Sequence, residues 1–306
     1  MINYLILLLD IILVQINNGI FNRIGKNDIH NLSDRFLFIT LTSAVAFLFQ
    51  IAVFSVSDRT ISAFTLILGA IFGILIFLLN LFTIFALSMG NMSITYLIIT
   101  SSSLIPAFSG ILFFGESFGL FQLIGVVLMI ISLVLCVSSS KTEKKKKSGF
   151  NLRWIIYAFS SAFFSGMTGI VQKIHQTSEH KNELTSFLAS AMLTSTLISL
   201  ILCLILRDSE TKKNKEISLF PQIKNLLPIS FSGGLCLSGI HLICLYLVGA
   251  LPSILFFPVH SGSAILLTAV QAKFLFHEKL HRIQVVGFFL GIISILLLSN
   301  ILAFLE

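Results

Sequence analysis

Apolar residues in this chain come in long blocks instead of alternating with polar ones or recurring at helical spacing. Ten such blocks lie at 2–21, 36–56, 61–87, 92–114, 119–138, 154–172, 185–206, 226–248, 252–276 and 283–304. A helix needs about 20 consecutive apolar residues to cross the hydrocarbon of a bilayer. Inside that hydrocarbon every backbone N–H and C=O must be satisfied within the protein, which for runs of this length selects the α-helix. The pattern therefore predicts an all-α integral membrane protein with ten transmembrane helices, multi-pass in the cell membrane. The connectors between blocks are too short to bury a core of their own, so any function is expected within or across the membrane.

Composition agrees: 56% of the 306 residues are apolar and 11% are Asp, Glu, Lys or Arg, against about 25% charged in soluble domains. Mean hydropathy is +1.00. Cys136, Cys203, Cys236 and Cys244 all fall inside expected spans, where they read as small buried hydrophobes and not as a disulfide framework. The first block begins at Ile2 with no basic leader and no small-x-small cleavage pattern before Asn17, so it reads as a retained helix.

The net charge of +7 is distributed unevenly. Arg23, Lys26 and Arg35 lie in the first loop, Lys141, Lys144 to Lys147 and Arg153 in the fifth, Arg207, Lys212, Lys213, Lys215 and Lys224 in the seventh, and Lys273, Lys279 and Arg282 in the ninth. The even loops and both tails hold only Arg59, Lys173 and Lys181. The positive-inside rule then places the odd loops in the cytoplasm and both termini outside. Basic residues confined to loops are topology signals, so no nucleic-acid partner is implied. The run Lys144 to Lys147 reads as a solvated linker.

The chain also repeats itself. A shift of 162 residues brings Glu116 onto Glu278, Gln122 onto Gln284, Gly125 onto Gly287 and Ser132 onto Ser294. A shift of 150 brings Gly19, Ile20 and Arg23 onto Gly169, Ile170 and Lys173. The expected organisation is one five-helix repeat over 1–140, a basic linker over 141–153 and a second five-helix repeat over 154–306. An odd number of helices per repeat inverts the second copy in the membrane, the inverted-topology plan in which exchanging two conformations gives alternating access.

The stretch from Ala86 through Ser101-Ser102-Ser103-Leu104-Ile105-Pro106 to Phe114-Gly115-Glu116-Ser117, with Gln122 and Gly125, resembles the EamA repeat of the drug/metabolite transporter superfamily. Its second copy runs from Tyr246 to Gly287 and includes Phe276-His277-Glu278-Lys279-Leu280. The resemblance implies a ten-helix secondary transporter, an exporter or exchanger of a small organic solute. Thr268 stands where the first repeat has Pro106, and the external termini differ from the cytoplasmic ones usual in that family.

Several residues are candidates for chemistry. Glu116 and Glu278 begin helices five and ten, where a carboxylate can cap free backbone amides, so they read as a repeated structural device with Gly125 and Gly287. Gly69 and Gly73, and likewise Gly287 and Gly291, have the four-residue spacing that lets helices approach closely. Asp10 lies mid-span, where an ionised carboxylate costs about 2.5–3.5 kcal/mol on insertion scales; a carboxyl that takes up and releases a proton there would couple solute movement to a proton. The substrate cavity is expected to use polar groups at depth: Tyr96, Asn80, Ser102, His241, His260 and Ser261, with Gln15 and Asn18 along an entry path. Asn22 and His175 are expected at the membrane interface. Pro106 and Pro258 can kink their helices.

Scattered single acids do not form the carboxylate clusters of a membrane enzyme, and no Gly-rich phosphate loop with lysine is present. No enzyme activity, cofactor or metal is implied. A lipid flippase on the same scaffold, or an integral membrane enzyme or sensor without transport, are the alternatives. The expected partners are a small-molecule solute and the lipid bilayer, with the chain a monomer or homodimer.

Overall fold

The computed structural model describes residues 2–28, 32–56, 60–106, 108–109, 119–144, 152–211, 219–251, 253–278 and 282–298. Among the described residues the structure is helical, with α1 Ile2–Arg23, α2 Leu32–Val56, α3 Ala63–Met89, α4 Met92–Thr100, α5 Leu120–Lys144, α6 Leu152–Thr177, α7 Leu184–Thr211, α8 Leu219–Ala250, α9 Ser253–Phe274 and α10 Arg282–Leu298. Each corresponds in order to one apolar block of the sequence. α8 begins seven residues before its block and continues through Pro228, since a proline's missing donor is tolerated where neighbouring helices re-satisfy the backbone. Among the described residues, six helices are long and apolar enough to cross a membrane: Asn3–Lys26, Leu32–Val56, Ala63–Met89, Leu152–Thr177, Leu184–Arg207 and Gln222–Ala250. The apolar stretches described in α4, α5 and α10 are shorter.

The helices cluster into two units, Met1–Ile84 with Val171–Gly249, and Phe85–Ile170 with Ala250–Glu306. Each unit takes helices from both sequence repeats. The division falls within α3 (Ile84/Phe85) and α6 (Ile170/Val171) and at the end of α8, and not at the basic linker.

In the first unit the core is built from Phe72 and Ile76 of α3, Phe187, Leu188, Ala191 and Met192 of α7, and Leu237 and Leu245 of α8. α2 and α7 run antiparallel, because Ser43 meets Ser195 at 3.0 Å while Cys203 Sγ lies 3.6 Å from the Ser33 carbonyl. Ser43 and Ser195 occupy the same place in helices that begin at Leu32 and Leu184. Gly69 and Gly73 let α3 lie directly on α7: a Cβ on Gly73 would sit 2.2 Å from the Ala191 carbonyl oxygen, and one on Gly69 would sit 2.6 Å from that of Phe187. Between apolar helices in lipid, close van der Waals packing of this kind replaces the hydrophobic effect as the driving force.

In the second unit α5 and α10 also run antiparallel. The Ser132 hydroxyl donates to the Gly287 carbonyl at 2.6 Å, and the Ser294 hydroxyl donates to the Gly125 carbonyl at 2.6 Å. The 162-residue shift that relates the repeats exchanges these two bonds for one another. The core of this unit joins Ala86, Ile94, Leu97, Met129, Trp154, Ala158, Ile265 and Phe288.

Candidate functional site

Asp10 is fully buried in the middle of α1. Its neighbour is α8, where the Cys244 thiol donates toward both carboxylate oxygens, with Sγ at 3.7 and 3.8 Å. His241 stands one turn before Cys244 on the same helix and meets Phe72 of α3 edge-on with ring centroids 5.4 Å apart. One further turn back, Ser238 accepts a bond from the Gln50 amide at 2.6 Å. Positions 238, 241 and 244 follow one another at three-residue spacing, which keeps them near one face of a helix. The first unit therefore gathers an acid, a thiol, an imidazole and an amide around one stretch of α8. Asp10 and His241 were visible in the sequence, but Cys244 read only as a small buried hydrophobe and Gln50 was not singled out, since a lone Cys or Gln in an apolar block carries no spacing signal.

The other expected cavity residues divide between the units. Asn80 of α3 and Asn18 of α1 are buried in the first unit, and Gln15 is half-buried there. Tyr96 and Ser102 of α4 and Ser261 of α9 are buried in the second, where His260 lies against Phe256 with ring centroids 5.6 Å apart. Asn22 and His175, expected at the interface, are both buried, and the His175 ring packs 4.4 Å from that of Phe187.

α4 explains the serine run. After Thr100 it tightens into a 3-10 turn over Ser101–Ser103. Thr100 and Ser101 bond back to the carbonyls of Tyr96 and Ile98 at 2.7 and 2.6 Å, and such back-bonding competes with the α-helical ladder. Ser102 meets Ser165 of α6 at 3.0 Å. The turn continues into Ile105 and Pro106, which lie against Gly166 and Gly169 of α6, where any Cβ would crowd them.

Glu278 does cap a helix, but not its own. It lies in the loop between α9 and α10, and its carboxylate accepts the backbone N–H groups of Met92 (2.7 Å) and Ser93 (3.2 Å) and the Ser93 hydroxyl (2.9 Å). Asn91, the N-cap residue of α4, makes no side-chain cap bond, so a carboxylate from a distant loop satisfies these orphan donors and meets the positive end of α4. Glu116, the repeat counterpart, lies outside the described residues, as does the side chain of Pro258.

A second carboxylate does the same in the first unit, and the sequence reading missed it. Glu183, between α6 and α7, accepts the Ser62 N–H at 3.0 Å and the Ser62 hydroxyl at 2.8 Å, at the start of α3. Its other oxygen lies 3.4 Å from His180 Nδ1. Burial opposes ionisation of Glu183, but bonds from Thr65 and Ser62 and the nearby His180 outweigh it and hold the carboxyl below its ordinary value. A group with a depressed folded pKa adds stability above its unfolded pKa, and loses it as pH falls through the folded value. We expect acidification below about pH 4 to destabilise the native protein measurably more than Glu183→Gln. Thermal denaturation of both across that range checks it; parallel acid limbs would remove Glu183 from the account.

The sequence profile of the EamA-like transporter family matches residues 152–300. No curated protein matches the chain's sequence. A crystal structure described only as that of a protein has the same fold, with a TM-score of 0.64 over 97% of this chain and 98% of the other at 12% identity. At that identity the likeness concerns the fold alone.

Proposed function

We propose, from the premise that residues 152–300 belong to the EamA-like transporter family of the drug/metabolite transporter superfamily, that the whole chain is a secondary transporter of a small organic solute. It spans the membrane ten times as two inverted five-helix repeats and works by alternating access. The observation that carries this reading is the pair of exchangeable bonds Ser132–Gly287 and Ser294–Gly125. Antiparallel contact between repeat-related helices is what two copies of opposite orientation produce, and inverted repeats are the structural basis of alternating access.

The carboxylate contacts support the same threading. Glu183 ties the sixth loop to the second, and Glu278 ties the ninth to the third; even loops meet even and odd meet odd, as ten crossings require. Seventeen basic residues in the odd loops then assign those loops to the cytoplasm. In a cysteine-free variant, Lys181→Cys is expected to react with an impermeant thiol reagent from outside, and His277→Cys only after the membrane is opened. Labelling of both from the same side would overturn the crossing count.

Asp10 is the proposed coupling group, and Tyr96, Ser102, His241, His260 and Ser261, with Asn80, Gln15 and Asn18, the proposed solute contacts. A comparison of metabolites inside and outside cells with and without the protein identifies the solute. Uptake of that solute into vesicles of purified protein then tests the function. A solute distribution unchanged by the protein, across all gradients imposed, would refute transport.

A further inference from the structure

We infer that Asn22 of α1 is a solute contact, and that the group it takes is neutral and planar with a hydrogen-bond donor beside an acceptor, as in a carboxamide or the edge of a nucleobase. The inference deepens the transport reading and rests on it.

Asn22 is fully buried. Among the described residues it is the one side-chain amide whose nitrogen and oxygen are both enclosed and without a hydrogen-bond partner. Removing such a group from water with nothing in return is unfavourable, and an orphaned buried group in a native fold calls for a ligand or an ordered water to complete it. Asn22 also ends a row. Gln15, Asn18 and Asn22 follow one another along α1 at three and four residues, the spacing of one helix face, and Asn18 is buried as well. Immediately beyond, the chain widens into a π turn over Ile24–Asp28, a form frequent at functional sites.

A second helix brings an amide to a similar depth. Phe21 of α1 packs edge-on against Phe38 of α2 with centroids 5.5 Å apart, and Phe77 of α3 lies 6.1 Å from Phe36 of α2. One stretch of α2 is therefore flanked by α1 at Phe21 and by α3 at Phe77, which puts the buried Asn80 within about one helical turn of the depth of Asn22. All of these residues belong to the first unit.

The ligand class follows from the amide itself. A side-chain amide offers two donors on nitrogen and an acceptor on oxygen. A carboxylate would pair with the nitrogen and leave the Asn22 oxygen orphaned, and an ammonium would do the reverse. A neutral group with its own donor beside its acceptor satisfies both ends at once, through two parallel bonds.

The test uses nicotinamide and uracil as probes, with nicotinate as the counterpart of nicotinamide that lacks the donor. Wild type and Asn22→Leu, which keeps the branched shape and removes both polar atoms, are purified as full chains into lipid nanodiscs. Thermal unfolding is followed as each probe is titrated to millimolar concentration. Nicotinamide or uracil should raise the unfolding temperature of the wild type, nicotinate should not, and Asn22→Leu should bind the effective probe about tenfold or more weakly. Should Asn22→Leu fail to fold, the same titration is made on Asn22→Ala. No stabilisation of the wild type by either probe, equal stabilisation by nicotinate, or equal affinity in the variant would overturn the site; a buried water alone at Asn22 gives the first of these results. The transport reading fails separately, by a solute distribution in cells that the wild-type protein leaves unchanged.

Discussion

Gly73→Leu is expected to prevent the protein from accumulating in the membrane. A Cβ at this position would sit 2.2 Å from the Ala191 carbonyl oxygen and 2.9 Å from its carbon. Those are backbone atoms of α7 and cannot rotate away, so the two helices would have to separate along the face that holds the first unit together. Phe72 and Ile76 on either side of Gly73 are fully buried against that face, and separation would strip their contacts as well. Overpacking and lost core contact of this kind belong to the large tail of mutational effects, above about 4 kcal/mol. Gly239→Ala is the matched control, since its Cβ would approach only the Leu13 methyl, at 3.0 Å. Fluorescence-detected size exclusion of the two variants decides it. A monodisperse Gly73→Leu protein at normal abundance would mean that α3 and α7 do not pack as described.

Asp10→Asn is expected to abolish concentrative transport while leaving solute binding largely intact. The substitution keeps the size of the side chain and its ability to accept from the Cys244 thiol, but removes the exchangeable proton. An enclosed carboxyl in the middle of a span carries a desolvation cost, and here its oxygens meet the Cys244 thiol. Once the solute is known, uptake into vesicles with an imposed proton gradient should fall to the level of passive equilibration, with counterflow of solute for solute retained. Accumulation against a gradient by the variant, at normal expression, would make Asp10 structural.

The hydrophobic pattern determined a good deal. Among the described residues every block holds helix, although the 92–114 block is interrupted by a 3-10 turn at Ser101–Ser103; a run of about 20 apolar residues has few other ways to satisfy its backbone in lipid. The 162-residue shift was legible in the shared spacing of Gly125 with Ser132 and Gly287 with Ser294, and these four residues meet in two hydrogen bonds. Asp10 was legible because one acid in an apolar block stands out whatever surrounds it. What the pattern could not reach was partnership. That Glu278 caps α4 and not α10, that Glu183 caps α3, that His175 is enclosed beside Phe187, and that Cys244 faces Asp10 all depend on contacts between residues far apart in the chain. Nor did it reveal that each unit draws helices from both repeats. Hydropathy measures the preference of each residue for lipid over water, and that preference is the same for every apolar helix. Which helix lies against which is decided instead by small residues that admit a neighbour's backbone and by polar groups that need one particular partner, and both take effect only once the chain has folded.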